Sequence, residues 1–219
     1  MSSAVIQLLV LAGIAVFLIL RLRSVLGTRE GFEKPPAEAP QPARRGRPDL
    51  EVIEGGPDRD ITDHVDEKSD AAQALAAMKL VEPEFSVGEF LQGARGAYEM
   101  ILMAFERGEI EDVAPFLGDE VHQTFVDVIG EREDQGLTIE ASFIGVRELT
   151  LTAANFDRDT QEGEITVRFV GELTSAVRDA AGEIVEGDPN EIKRQKDSWT
   201  FARTMGVNNP NWQLVATGE

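Results

Sequence analysis

Residues 197–217 read DSWTFARTMGVNNPNWQLVAT, and this stretch leaves the chain few ways to fold. Trp199 and Phe201 are two apart, so in a strand they share one side, with Ser198, Thr200 and Ala202 on the other. Asn208, Asn209, Pro210 and Asn211 are turn chemistry. Trp212, Leu214 and Ala216 then alternate again. The pattern predicts two strands joined by a polar turn, with both tryptophans of the chain directed inward. An apolar hairpin so near the C-terminus has to be covered by elements that precede it.

Those elements are legible upstream. Ser86 followed by Glu89 is a capping box. Val87, Phe90, Leu91, Ala94, Tyr98, Ile101, Leu102 and Phe105 recur at helical spacing until Arg107-Gly108 stops the helix. Residues 109–117 form a short second helix with Pro115 near its end. Residues 119–133 form a third, with Val121, Phe125, Val128 and Ile129 on one side, closed by Gly136. The period then becomes two. Ile139, Ala141, Phe143, Leu149, Leu151 and Ala153 share a phase that Ile144 and Val146 break beside Gly145, which predicts a bulge and a bend. A second strand carries Ile165, Val167, Phe169, Gly171 and Leu173 and runs towards Val177. A flexible loop over 179–190 leads to the strand that ends in Trp199 and Phe201. Helices followed by four long strands define an α+β domain, with helices on one face of a curved antiparallel sheet.

The D-x-W-T-F-x-R stretch followed by N-P-N-W-x-L-V-A-T resembles the closing strands of the Tim44-like domain. That domain is shared by a mitochondrial inner-membrane translocase subunit, a mitochondrial large-subunit ribosomal protein and alphaproteobacterial membrane proteins. The similarity continues through ITVRFV at 165–170, SAVRD at 175–179 and GDP at 187–189, and covers roughly residues 85–217. The resemblance implies a cone similar to the nuclear-transport-factor-2-like (NTF2-like) fold, whose open mouth can hold an apolar cavity. Tyr98, Leu102, Phe105, Phe143, Leu173, Trp199 and Phe201 either line such a cavity or form the core. It also implies a role in protein translocation, insertion or complex assembly at an inner membrane. The mitochondrial translocase subunit has a longer N-terminal region that recruits an Hsp70 motor. This chain has an anchor and a linker there, so motor binding does not carry over.

Residues 4–20 are apolar except for Gln7, long enough at the short end to span a bilayer. No charge precedes the run, and Arg21 and Arg23 follow it, which favours a retained anchor over a cleaved signal peptide. The cationic flank directs the rest of the chain to the cytoplasm, with the N-terminus outside. For an alphaproteobacterial protein this means a single-pass protein of the bacterial inner membrane. Residues 1–22 are thus the anchor and 23–68 a linker, first basic and proline-rich and then acidic. An apolar helix occupies 69–82, and the Tim44-like domain 83–219. Arg21, Arg23, Arg44, Arg45 and Arg47 either touch anionic headgroups or lie on a solvated tether. Leu50, Val52 and Ile53 are a small apolar island in acid. The helix after Ser69 is apolar nearly all round, so something covers it: its own domain, a partner or the membrane interface.

Charge narrows the partners. Residues 21–48 carry seven basic side chains against three glutamates, whereas 49–219 carry 14 basic and 37 acidic ones. Phosphates repel such a domain, which argues against nucleic acid. The chain has no cysteine for a disulfide or thiolate metal site. No phosphate-binding glycine loop or calcium-loop spacing occurs. His64 lies in the acidic linker and His122 borders an apolar stripe without an identifiable acid partner, so neither makes a catalytic pair. The sequence therefore points to no catalytic residue, cofactor or metal. It points to an adaptor that binds membrane or translocating proteins, with a lipid or apolar-ligand carrier as the alternative.

Overall fold

A computed structural model describes residues 57–218. The apolar run, its flanking arginines and the linker up to residue 56 lie outside those residues. Among the described residues, no helix is long and apolar enough to cross a membrane.

Helix α1 (Arg59–Thr62) is a single turn that buries Ile61. The linker expected over 23–68 therefore already contains folded structure at this point. Helix α2 (Asp70–Val81) starts at Ser69, whose side chain accepts from the Ala72 N–H at 3.1 Å. Ala72, Leu75 and Met78 are buried at helical spacing, while Leu80 is 84% exposed. Of the three coverings open to this helix, the domain itself supplies one. Met78 reaches Gly163, where a Cβ would stand 2.9 Å from its Cε.

Helix α3 (Val87–Arg107) is the long helix that the apolar periodicity predicts. Ser86 accepts from the Glu89 N–H at its start, and Gly108 closes it in the left-handed conformation, φ +76°. A 3-10 segment (Ile110–Phe116) and α4 (Asp119–Asp134) follow. Val121 and Ile129 of α4 are buried, but Val128 is exposed.

The four strands form one antiparallel meander in the order β1-β2-β3-β4. Strand β1 (Thr138–Phe156) is irregular at 143/145, 146/148 and 151/153. The first irregularity is the bulge expected beside Gly145. The last flips the phase, so Ala153 is exposed and Ala154 half-buried. Strand β2 (Glu162–Arg178) is the spine, with Ile165, Val167 and Phe169 fully buried. Strand β3 runs from Ile184 to Thr204, so most of the loop expected over 179–190 is strand. Only a tight turn over 179–183 remains, held by Asp179 Oδ1, which accepts from the N–H groups of Ala181 and Glu183. This outer part of the hairpin is exposed on both faces, Ile184, Val185 and Ile192 included, and lacks the alternation by which strands are recognised. Strand β4 (Gln213–Gly218) begins one residue later than expected. Trp212 precedes it and is half-buried, and Ala216 is exposed.

Helix α3 lies against the sheet face through Tyr98. Its ring stacks on Phe169 at 4.4 Å between centroids, and it meets Trp199 at 4.8 Å and Phe143 at 6.1 Å. Gly171 makes the approach possible, since a Cβ there would stand 2.7 Å from the Tyr98 hydroxyl oxygen.

Candidate functional site

The seven residues expected around a cavity do not line one common space. Tyr98, Phe143, Trp199 and Phe201 join Phe169 in one aromatic cluster inside the core. Leu102 is buried in the same core. Phe105 faces α4, tilted on Phe125 at 4.6 Å, with the Arg132 guanidinium over its ring at 4.6 Å. Leu173 is buried at the floor of a separate polar cleft.

Open apolar space lies elsewhere. A groove of 480 Å³ runs along the N-terminal half of α3, against the turn before β4 and the end of the 3-10 segment. Its floor is aromatic. Phe90 meets Trp212 edge-on at 4.8 Å and Phe201 at 6.0 Å, and Phe85 meets Trp212 at 5.9 Å. The wall is low because α3 presents Gly93, Gly96 and Ala97 there. A Cβ on either glycine would meet nothing within 4 Å. Met100 stands at the far end, 39% exposed. Glu82, Glu84 and Glu89 make the rim acidic.

An ion pair fixes the turn side of the groove. Arg203 is only 8% exposed and is the one charged residue buried among the described residues. Its Nη2 donates to Glu82 Oε1 at 2.8 Å, and its guanidinium lies over Trp212 at 5.1 Å. Glu82 Oε2 accepts from the Gly206 N–H at 3.1 Å. Burial pushes the Glu82 carboxyl up, but Arg203 and the Gly206 N–H together hold it below its ordinary value.

A second clamp fixes the helix side. Asp60 accepts from the N–H groups of Val87 and Gly88, at 2.7 and 2.9 Å, and from the Ser86 hydroxyl at 3.0 Å. Lys79 lies 2.7 Å from it. Burial raises the Asp60 carboxyl, yet Lys79, the two backbone donors and Ser86 outweigh it and bring it to about 2. Asp60 thus completes the cap of α3 from 27 positions upstream, where orphan donors and the helix dipole favour an anion. Ser86 is fully engaged in this cap, so the one hydroxyl side chain on the groove is not set up as a nucleophile.

The histidines are far from this arrangement in character. His64 is exposed just after α1. His122 Nε2 lies 3.3 Å from Glu111, an acid on the 3-10 segment that the sequence did not reveal as its neighbour. No group of three or more His, Cys, Asp or Glu is placed to hold a metal among the described residues. The site is an open apolar trough with an aromatic floor and an anionic edge.

The model of the Tim44-like domain family matches residues 71–219. The chain belongs to the Tim44-like domain family. Human mitochondrial import inner membrane translocase subunit TIM44 is 23% identical over 152 residues, and the rat protein 22%. Each match covers 68% of this chain and 33% of the relative, so the chain spans about a third of the length of the curated relatives it matches. Among solved structures, the intermembrane space region of chloroplast protein ARC6 aligns with 69% of this chain and 96% of its own at 12% identity and a TM-score of 0.35. The family match begins at Ala71 in α2, so this Tim44-like domain includes the helix that sequence reading set apart at 69–82.

Two groups that shape the groove escaped sequence reading. Asp60 looked like one acid among many. Arg203 had a visible signal, since it continues the inward phase of Trp199 and Phe201, where a charge needs a buried partner.

Proposed function

We propose that this Tim44-like protein is a membrane-anchored, non-enzymatic adaptor that holds partner proteins at a bacterial inner membrane during translocation, insertion or complex assembly. The groove along α3 is the observation that carries this reading: an apolar floor of Phe90, Phe201 and Trp212, open to solvent and edged by Glu82, Glu84 and Glu89. Apolar concave surfaces of this size with a polar rim suit the side chains of a docked protein segment. The name carried by the mitochondrial relatives, an import translocase subunit, supports the same process. The apolar run at 4–20 acts as a single-span anchor, residues 1–22, and the linker leaves the domain on the cytoplasmic side. Tethering raises the effective concentration of the groove at the membrane surface. We take the domain to be a cone of the NTF2-like kind. The glutamate rim disfavours anionic lipid headgroups, so a protein occupant accounts for the groove better than a lipid does.

The test is photo-crosslinking of the full-length protein in native membranes, with the reactive group at Gly96. We expect discrete adducts with membrane or translocating proteins, and their loss when Gly93→Leu fills the trough. An absence of reproducible protein adducts, or adducts indifferent to Gly93→Leu, would refute the adaptor reading. Failure of the protein lacking residues 1–22 to replace the intact form in cells tests the anchor separately.

A further inference from the structure

Strand β4 pairs with β3 only from Ser198 to Ala202. The β2–β3 ladder continues without a break to Leu173↔Lys193, so residues 193–197 of β3 are regular strand. Among the described residues nothing pairs with their outer edge. Beyond Lys193 the register jumps from Leu173↔Lys193 to Ser175↔Asp188, which ends the regular edge. Five residues of unpaired backbone remain, enough for one short added strand.

The same five residues line a cleft of 660 Å³ together with Glu106, Leu173 and Ser175. The side chains of Lys193 to Asp197 point alternately to the two faces of the sheet, and all five residues border this space. Open space therefore lies against this part of the strand.

Charge selects the segment. Three of the 14 basic side chains found from residue 49 onward, Lys193, Arg194 and Lys196, fall within these five positions. Arg194 shares Glu172 with Arg147, at 2.9 and 3.4 Å. Lys193 and Lys196 form no ion pair among the described residues. Glu106 and Asp197 border the same cleft, yet the edge keeps a small positive excess in an otherwise acidic domain, which favours acid over a basic strand.

We propose that the unpaired edge of β3 from Lys193 to Asp197 is a β-augmentation site for an extended acidic segment of a partner protein. Main-chain hydrogen bonds to the edge supply the binding. Acidic side chains of the segment pair with Lys196 and Arg194 on one face, and its alternate side chains enter the cleft beside Leu173 on the other. This surface is distinct from the α3 groove, and neither depends on the other.

The experiment uses the full-length protein in mild detergent and a fluorescent octapeptide alternating glutamate and valine. Saturable binding is expected, with slowed amide exchange confined to residues 193–197 and their immediate neighbours. N-methylation of alternate peptide amides should weaken binding at least about tenfold, because it removes the strand hydrogen bonds while keeping the charge. The K193E/R194E/K196E variant should weaken it to a similar degree while keeping its thermal melt. Binding that survives N-methylation, or equal competition by a lysine–valine octapeptide, would overturn the proposal. So would equal competition by unstructured polyglutamate or by anionic vesicles. The methylated peptide probes the wild-type chain, so the proposal stays testable if the triple variant misfolds.

Discussion

Asp60 carries more than its position in an acid-rich run suggests. It serves three donors at the start of α3 and lies beside Lys79. Asp60→Ala leaves those donors without an acceptor and should cost about 1–3 kcal/mol in urea unfolding at pH 7. The pH dependence follows from its low folded value. The carboxyl falls from 3.8 in the free residue to about 2, so its contribution is complete above about pH 4 and is lost as pH drops through about 2. Glu82, also lowered, acts in the same sense. Comparing unfolding at pH 7 and pH 3 should show a smaller acid loss in Asp60→Ala than in the wild type. Tyr98 forms the other residue-scale test. Its hydroxyl donates to Asp197, and burial, then that hydrogen bond and the Asp197 charge, push the phenol up. Tyr98→Phe should cost about 1–2 kcal/mol in the same assay. Gly171→Ala should cost about 1–3 kcal/mol, because the new methyl overlaps the tyrosine ring.

Among the elements, α3 and the sheet were readable because each has an apolar face of the proper period. The capping box at Ser86, the stop at Gly108 and the bulge beside Gly145 all have local chemical signatures, and the structure places them where those signatures lie. The groove was not readable. It depends on Trp212 meeting Phe90 across 122 positions and on the missing side chains of Gly93 and Gly96, and neither fact has a local pattern. The outer β2–β3 hairpin was hidden for a different reason: both of its faces are exposed, and its few apolar side chains, Ile184, Val185 and Ile192, do not alternate with polar ones. At this scale, Gly96→Leu is the informative change. It fills open space on a helix, so thermal melting should show the domain unharmed or stabilised by up to about 1 kcal/mol. Partner capture through the groove should be lost at the same time. Arg203→Leu should instead cost about 1–3 kcal/mol, because it removes the charged partner of Glu82 and the cation over Trp212.

The whole described domain is a four-stranded sheet covered by helices, with membership in the Tim44-like family extending from α2 to the C-terminus. The folded part begins earlier than composition suggests, because the acidic stretch before α2 already buries Ile61. The chain enters through α1, and Asp60 locks that entry to the first turn of the longest helix. Any pull arriving from the N-terminal side therefore meets the Asp60 contacts before it reaches the sheet. A load from that side falls on a cluster of short polar bonds at the start of α3 before it reaches the aromatic trough.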